Sequence, residues 1–133
     1  MDNNLYREEI LEHYKSPLHF SKLKDFDTTS MQLNPFCGDE ISVYIKFEKV
    51  RKSAGVATDS PPGCKIKDIS FSGGGCALSI AAASMLTDFA IGKSKTELTK
   101  FADQDMLNLL GIEVSETRKK CALLALFTLR DCL

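Results

Sequence analysis

The apolar and polar positions of the chain alternate in two segments, which predict two strands. Residues 41–47 alternate strictly, and this period of two is typical of a strand buried on one face. Residues 66–72 predict a second strand, with Ile69 and Phe71 on one side. Between them, Val50–Gly63 is polar and interrupted by Ser, Pro and Gly, so we expect a long, mobile hairpin loop there.

The apolar positions elsewhere recur at helical spacing. Residues 4–15 predict an amphipathic helix that ends before Pro17, because proline disfavours helix at the preceding residue. A run rich in alanine opens at Cys76, and its helix propensity predicts the buried centre of the molecule.

The C-terminal third predicts shorter helices followed by one long helix. Ser94–Glu97 matches a capping box and Gly111 is a good helix stop, so one or two short helices are predicted between them. The last helix is predicted from about Ser115 to the C-terminus, and its apolar residues on nearly all sides imply burial.

Composition narrows the class of protein. The 133 residues are 44% apolar, which suits one hydrophobic core, so a single domain over residues 1–133 is predicted. Basic and acidic residues number 17 and 18, so we expect no nucleic-acid partner. No signal-peptide pattern and no apolar run near the ~18 residues of a membrane span occurs, so we expect a cytoplasmic protein without membrane contact.

Five cysteines in a reducing compartment predict free thiols instead of a disulfide scaffold. Cys37 is two residues before Asp39, so both side chains can reach one ion, although Asp39 is equally well explained as a turn-forming residue. Cys76 follows three glycines at a predicted helix N-terminus, where the backbone can approach an anion and thiolate is favoured. Cys121 follows three basic residues that favour its ionisation.

The other cysteines and the two histidines are weaker candidates. Cys64 follows a Pro-Pro-Gly turn and Cys132 is next to the C-terminus, so we expect neither to have a rigid frame that could hold a ligand. His13 and His19 are expected to be surface residues, with His19 near the site as the remaining alternative.

Four stretches in order resemble the U-type iron–sulfur cluster assembly scaffolds, the IscU, SufU and NifU N-terminal group. The matching stretches are residues 5–10 with 13–17, residues 34–39 (Asn-Pro-Phe-Cys-Gly-Asp), residues 73–79, which open with Gly-Gly-Gly-Cys, with 83–85, and residues 120–124 (Lys-Cys-Ala-Leu-Leu). The resemblance implies an α/β (α+β) fold, a small antiparallel sheet of about three strands with helices packed on it. It also implies that the metal and cluster ligands are Cys37, Asp39, Cys76 and Cys121.

The implied function is assembly of a transient [2Fe–2S] cluster from iron and from sulfur supplied by a cysteine desulfurase, followed by transfer to apo iron–sulfur acceptor proteins. Cys37 and Cys121 are the candidate sulfur acceptors, and Arg118 and Lys120 the candidate desulfurase-docking residues. Under this hypothesis the protein is a binding scaffold that catalyses no reaction of its own. A weak homodimer is compatible with it. The alternative is a zinc-dependent sulfurtransferase like SufU. Lys120 stands where the IscU branch has histidine, and the branch stays open.

Overall fold

The computed structural model describes residues 3–35, 38–48 and 64–133 of the chain. The predicted loop Val50–Gly63 lies outside these ranges. In chain order the elements are α1 (Asn3–Lys15), β1 (Thr28–Asn34), β2 (Asp39–Phe47), β3 (Ile66–Gly74), α2 (Ala77–Ala90), α3 (Lys95–Thr99), α4 (Asp103–Leu110) and α5 (Lys119–Asp131).

The three strands form one antiparallel sheet in the order β1-β2-β3. The alternation predicted for β2 is confirmed, because its apolar side chains are buried and the intervening ones are partly exposed. Ile69 and Phe71 of β3 are buried on the same face, as predicted. The last residue of β1, Asn34, pairs with the first residue of β2, Asp39, so the connection between these strands is four residues long.

The sequence of β1 does not show the pattern of a strand with one buried apolar face. Two of its three exposed positions carry apolar side chains, Met31 and Leu33, which are 50% and 58% exposed. The alternate positions, which are less exposed, carry Thr, Ser, Gln and Asn. Sheet pairing and contact with α5 therefore define this strand, and the third strand was expected only from the family resemblance.

Helices α2 and α5 pack against each other, α2 contacts β3, and α5 contacts β1 and β2. Helix α1 packs on α2, and α4 packs on both α2 and α5. The buried apolar residues form one core cluster that includes the inward face of the sheet and nearly all of α2. The expected small antiparallel sheet with helices packed on it is therefore confirmed.

Most predicted helix boundaries are also confirmed. The Ser94 hydroxyl accepts a hydrogen bond from the backbone N–H of Glu97 at the start of α3, and Gly111 ends α4 with φ 73°. Helix α5 is the exception, because it begins at Lys119 and not near Ser115. The backbone N–H groups of Arg118 and Lys119 both donate to the Ser115 carbonyl, so a separate turn precedes the helix.

Within the residues that the structure describes, no helix combines the length and the apolar composition needed to cross a bilayer.

Candidate metal centre

Three potential metal ligands from distant parts of the chain meet at one end of the sheet. Asp39 is the first residue of β2, Cys76 caps the N-terminus of α2, and Cys121 lies in the first turn of α5. One carboxylate oxygen and the two Sγ atoms all lie within 4.8 Å of one another. The fourth residue expected in this set, Cys37, lies outside the described residues.

The Asp39 carboxylate is buried and hydrogen-bonded to the start of α2. Its Oδ1 accepts a hydrogen bond from the backbone N–H of Cys76 at 2.9 Å, and its Oδ2 accepts one from the Ser79 hydroxyl at 2.6 Å. The residue is only 1% exposed. These contacts join β2 to α2, so the alternative that Asp39 is only a turn-forming residue does not account for its environment.

Two of the three glycines before Cys76, Gly73 and Gly75, are required by close packing against β2. A Cβ atom on Gly75 would lie 2.5 Å from Oδ1 of Asp39, and one on Gly73 would lie 1.9 Å from the backbone oxygen of Glu40. Gly73 also has φ +130°, a conformation that residues with a side chain rarely adopt. The expected close approach of this backbone to an anion therefore occurs, and the anion is the protein's own Asp39 carboxylate.

Cys76 and Cys121 have similar electrostatic environments, because each lies at the N-terminal end of a long helix. Unpaired N–H groups and the helix dipole favour negative charge at such positions. The Sγ atom of Cys76 lies 3.3 Å from the Ser79 hydroxyl and 3.9 Å from Oδ2 of Asp39. The Asn34 amide donates to Sγ of Cys121 at 3.6 Å. Cys76 is partly exposed and Cys121 is 1% exposed.

Ser79 and Asn34 are parts of this centre to which the sequence analysis assigned no role. Ser79 follows Cys76 by three residues on α2, and this spacing alone places two helical residues on one face. That spacing was the available signal for Ser79. Asn34 reaches Cys121 only through the pairing of β1 with β2 and the packing of α5, which no local pattern reveals.

Cys64 and Cys132 belong to the hydrophobic core, so the expectation that they lack a rigid frame is wrong. They are 1% and 5% exposed, and neither belongs to the group of ligand atoms found among the described residues. Burial raises the pKa of the Cys64 thiol, and burial raises the pKa of Cys132 to about 12. Both are therefore neutral thiols near pH 7, which makes them poor nucleophiles and poor metal ligands.

The histidines lie away from the ligand atoms. His13 Nδ1 is 2.7 Å from the Ser84 hydroxyl, and His19 Nε2 is 3.2 Å from Asp88. Asp88 follows Cys76 by twelve residues on α2, which corresponds to roughly 18 Å along a helix. The alternative that His19 lies near the site is therefore not supported.

The basic residues before Cys121 lie where α5 begins. The side chains of Arg118 and Lys120 are exposed, whereas Lys119 is partly buried and forms an ion pair with Glu116 at 2.6 Å. Two cationic side chains, Arg118 and Lys120, therefore lie on the exposed surface beside Cys121. Their predicted role in docking a desulfurase stays a prediction.

The donor atoms suit a soft or borderline metal. Thiolates bind Zn²⁺ and iron–sulfur clusters preferentially, and a carboxylate oxygen is a harder ligand found in sites that exchange what they bind. Two sulfurs and one carboxylate oxygen within 4.8 Å therefore fit zinc or iron better than calcium or magnesium.

Comparison with known proteins is consistent with this donor set. A curated relative from Streptococcus pyogenes serotype M1, named iron–sulfur cluster assembly scaffold protein IscU, is 39% identical over 101 residues, 76% of this chain and 54% of that protein. This chain therefore spans little more than half of that relative. The zinc-dependent sulfurtransferase SufU of Bacillus subtilis is 31% identical over 92% of this chain and 85% of that protein.

A crystal structure described as a candidate SUF-system scaffold, from Fervidobacterium islandicum AW-1, has a TM-score of 0.74 at 26% identity, covering 99% of this chain and 98% of that chain. A hypothetical protein of known structure reaches 0.76 at 32% identity, with 98% of both chains covered. The sequence matches the family described as NifU-like N terminal domain over residues 5–133. Because this match spans nearly the whole sequence, the protein belongs to the NifU-like N-terminal domain family.

Proposed function

We propose that this protein is an iron–sulfur cluster assembly scaffold. It accepts sulfur from a cysteine desulfurase, binds iron, holds a transient [2Fe–2S] cluster and transfers that cluster to apo-proteins. Zinc occupies the same ligands when iron and sulfur are absent. The proposed ligands are Cys37, Asp39, Cys76 and Cys121.

The observation that carries the proposal is the convergence of Asp39, Cys76 and Cys121 within 4.8 Å. These residues come from three separate segments of the chain, and two of them lie at helix N-termini that favour anionic ligands. The oxygen ligand argues against a permanent structural zinc site, because such sites are usually closed by four cysteine or histidine ligands. A site with one weaker, oxygen ligand suits a metal or cluster that must be released.

Cys37 is the proposed fourth ligand and the first sulfur acceptor. The covalent chain limits its Cα to about 7 Å from that of Asp39, because two residues can span no more than this. Cys121, the other candidate acceptor, is 1% exposed, so a persulfide delivered by another protein would not reach its Sγ without rearrangement. Of the two candidate acceptors, the burial of Cys121 therefore favours Cys37 as the residue that receives sulfur first.

A zinc-dependent sulfurtransferase is the second candidate function. It is favoured by the 31% identity to the Bacillus subtilis sulfurtransferase, of which this chain covers 85%. In this alternative a bound zinc would be retained and one cysteine would be released from it. The freed thiolate would attack the outer sulfur of the desulfurase persulfide, forming a persulfide on this protein and releasing the desulfurase cysteine as a thiolate. The same four residues would serve both functions. The two differ in whether the metal is transferred to an acceptor, as in a scaffold, or retained, as in a sulfurtransferase.

The test is anaerobic incubation of the zinc-free protein with ferrous iron, cysteine, a cysteine desulfurase and a thiol reductant, which supplies the remaining electrons that reduce persulfide sulfur to sulfide. Visible absorbance is then recorded. A scaffold acquires the absorbance of a [2Fe–2S] cluster and loses it when an apo-ferredoxin is added. The Cys76→Ser variant should acquire little absorbance, whereas Cys132→Ala, which removes a core thiol, should behave like wild type. Stimulation of the desulfurase by the zinc-loaded protein alone, with no cluster formed from iron, would instead identify the sulfurtransferase.

A further inference from the structure

The Ser79 hydroxyl lies between two of the proposed metal ligands. Its oxygen is 2.6 Å from Oδ2 of Asp39 and 3.3 Å from Sγ of Cys76. Ser79 is 1% exposed, so its hydroxyl is shielded from solvent. A hydroxyl has a single proton to donate, and the short contact to the carboxylate assigns that proton to Asp39.

This hydrogen bond matters most when no metal is bound. A buried carboxylate without a counterion relies on its hydrogen-bond donors, and for Asp39 these include the Cys76 backbone N–H at 2.9 Å and the Ser79 hydroxyl. When a cation binds Asp39, it neutralises much of the same charge, and the Ser79 hydrogen bond becomes weaker. Ser79 therefore stabilises the empty centre more than the loaded one.

We propose that Ser79 is a positioning residue that lowers the affinity of the centre for its cargo and so favours release. The inference rests on the proposed function, because it requires that Asp39 and Cys76 bind metal. Removing the hydroxyl should destabilise the empty centre more than the loaded centre, and the metal should then bind more tightly. We expect the zinc dissociation constant of Ser79→Ala to fall roughly tenfold, which corresponds to about 1.4 kcal/mol.

Ser84 provides a matched control on the same helix. Its hydroxyl is also buried, and its partners are the backbone N–H of Leu18 and the imidazole of His13. It lies two turns beyond the centre, so Ser84→Ala removes a comparable buried hydroxyl without touching a proposed ligand. This control variant should have a lower melting temperature with and without zinc, by similar amounts, and an unchanged zinc affinity.

The experiment measures zinc affinity by competition with a chromophoric chelator, and the melting temperature of each protein with and without zinc. Ser79→Ala should bind zinc more tightly and should lose more thermal stability in the zinc-free form than in the zinc-loaded form. Ser79→Thr restores a hydroxyl and should return the affinity to within a few-fold of wild type. Cluster transfer from Ser79→Ala to an apo-ferredoxin should be slower in proportion.

An unchanged or weaker zinc affinity in Ser79→Ala would overturn the inference while leaving the proposed function intact. Failure of Ser79→Ala to fold even with zinc would also overturn it, since the loaded form is expected to be spared. Absence of zinc and iron binding by the wild-type protein would instead overturn the proposed function. The two failures are therefore distinguishable in one set of measurements.

Discussion

The glycines between β3 and Cys76 provide a test of the geometry of the centre. A Cβ atom at Gly75 would lie 2.5 Å from Oδ1 of Asp39 and 3.0 Å from its Cγ. Ordinary contact distances begin near 3.4 Å, so the carboxylate would have to move by about 0.9 Å. Such a shift would break or strain its hydrogen bonds from the Cys76 N–H and the Ser79 hydroxyl.

The expected magnitude for Gly75→Ala follows from these two hydrogen bonds. Each hydrogen bond to a charged group contributes about 1.5–3 kcal/mol, so losing both would destabilise the protein by roughly 3–6 kcal/mol. Replacing glycine by alanine recovers about 0.4–1 kcal/mol because the unfolded chain becomes less flexible. The free energy of unfolding of the zinc-free protein should therefore fall by about 2–6 kcal/mol, a large part of the stability of a domain of this size.

Gly74 is the neighbouring control. A Cβ atom on Gly74 would meet nothing within 4 Å among the described residues, so Gly74→Ala should change the free energy of unfolding by less than about 1 kcal/mol. Urea unfolding of both variants and the wild type, with a chelator present, measures the difference directly. Equal destabilisation by the two substitutions would refute the assignment of the Gly75 effect to the Asp39 carboxylate.

Three further predictions concern ionisation, release and docking. The stabilising contribution of Cys132 should be fully present below pH 9.0 and be lost as the pH rises towards about 12, because burial makes the folded state hold the thiol proton more tightly. The difference in unfolding free energy between wild type and Cys132→Ala should shrink over that range, and a constant difference would contradict the burial argument. Asp39→Ala should hold an assembled [2Fe–2S] cluster longer and transfer it more slowly to apo-ferredoxin, since a labile oxygen ligand is lost; transfer at the wild-type rate would show that release is controlled elsewhere. Arg118→Glu should slow desulfurase-dependent sulfur transfer more than it changes zinc content, whereas charge reversal at the exposed Lys24 should do neither; a parallel loss of zinc would indicate misfolding.

Local periodicity predicted the elements whose apolar side chains are the buried ones. Strand β2 is of this kind, because its alternating apolar residues are the buried ones, and the apolar, alanine-rich run of α2 is buried along nearly its whole length. Strand β1 could not be found this way, since two of its three exposed positions carry Met31 and Leu33 while its partly buried ones are polar. The start of α5 was misjudged because the turn that begins at Ser115 uses backbone hydrogen bonds that any sequence can make.

The proposed ligands of the candidate centre could be predicted from the sequence, but the hydrogen bonds that support them could not. Asp39, Cys76 and Cys121 were expected from their contexts and from the family resemblance, and their ligand atoms converge. The hydrogen bond from Asn34 to Cys121 connects residues 87 positions apart in the sequence, so only the assembled fold could reveal it. The burial of Cys64 was missed for the same reason, because its hydrogen bonds reach Glu48 and Lys95, 16 and 31 positions away in the sequence.

Because the proposed ligands are far apart along the chain, a metal ion or cluster bound by them would act as a reversible cross-link. An ion bound by Asp39, Cys76 and Cys121 closes two loops of 37 and 45 residues in any unfolded state that retains it. By the entropy of loop closure, a covalent link across such a loop stabilises a folded protein by on the order of 4 kcal/mol. Each transfer of cargo to an acceptor would thus remove a restraint on the whole fold, and loaded and empty molecules should differ in their resistance to proteases.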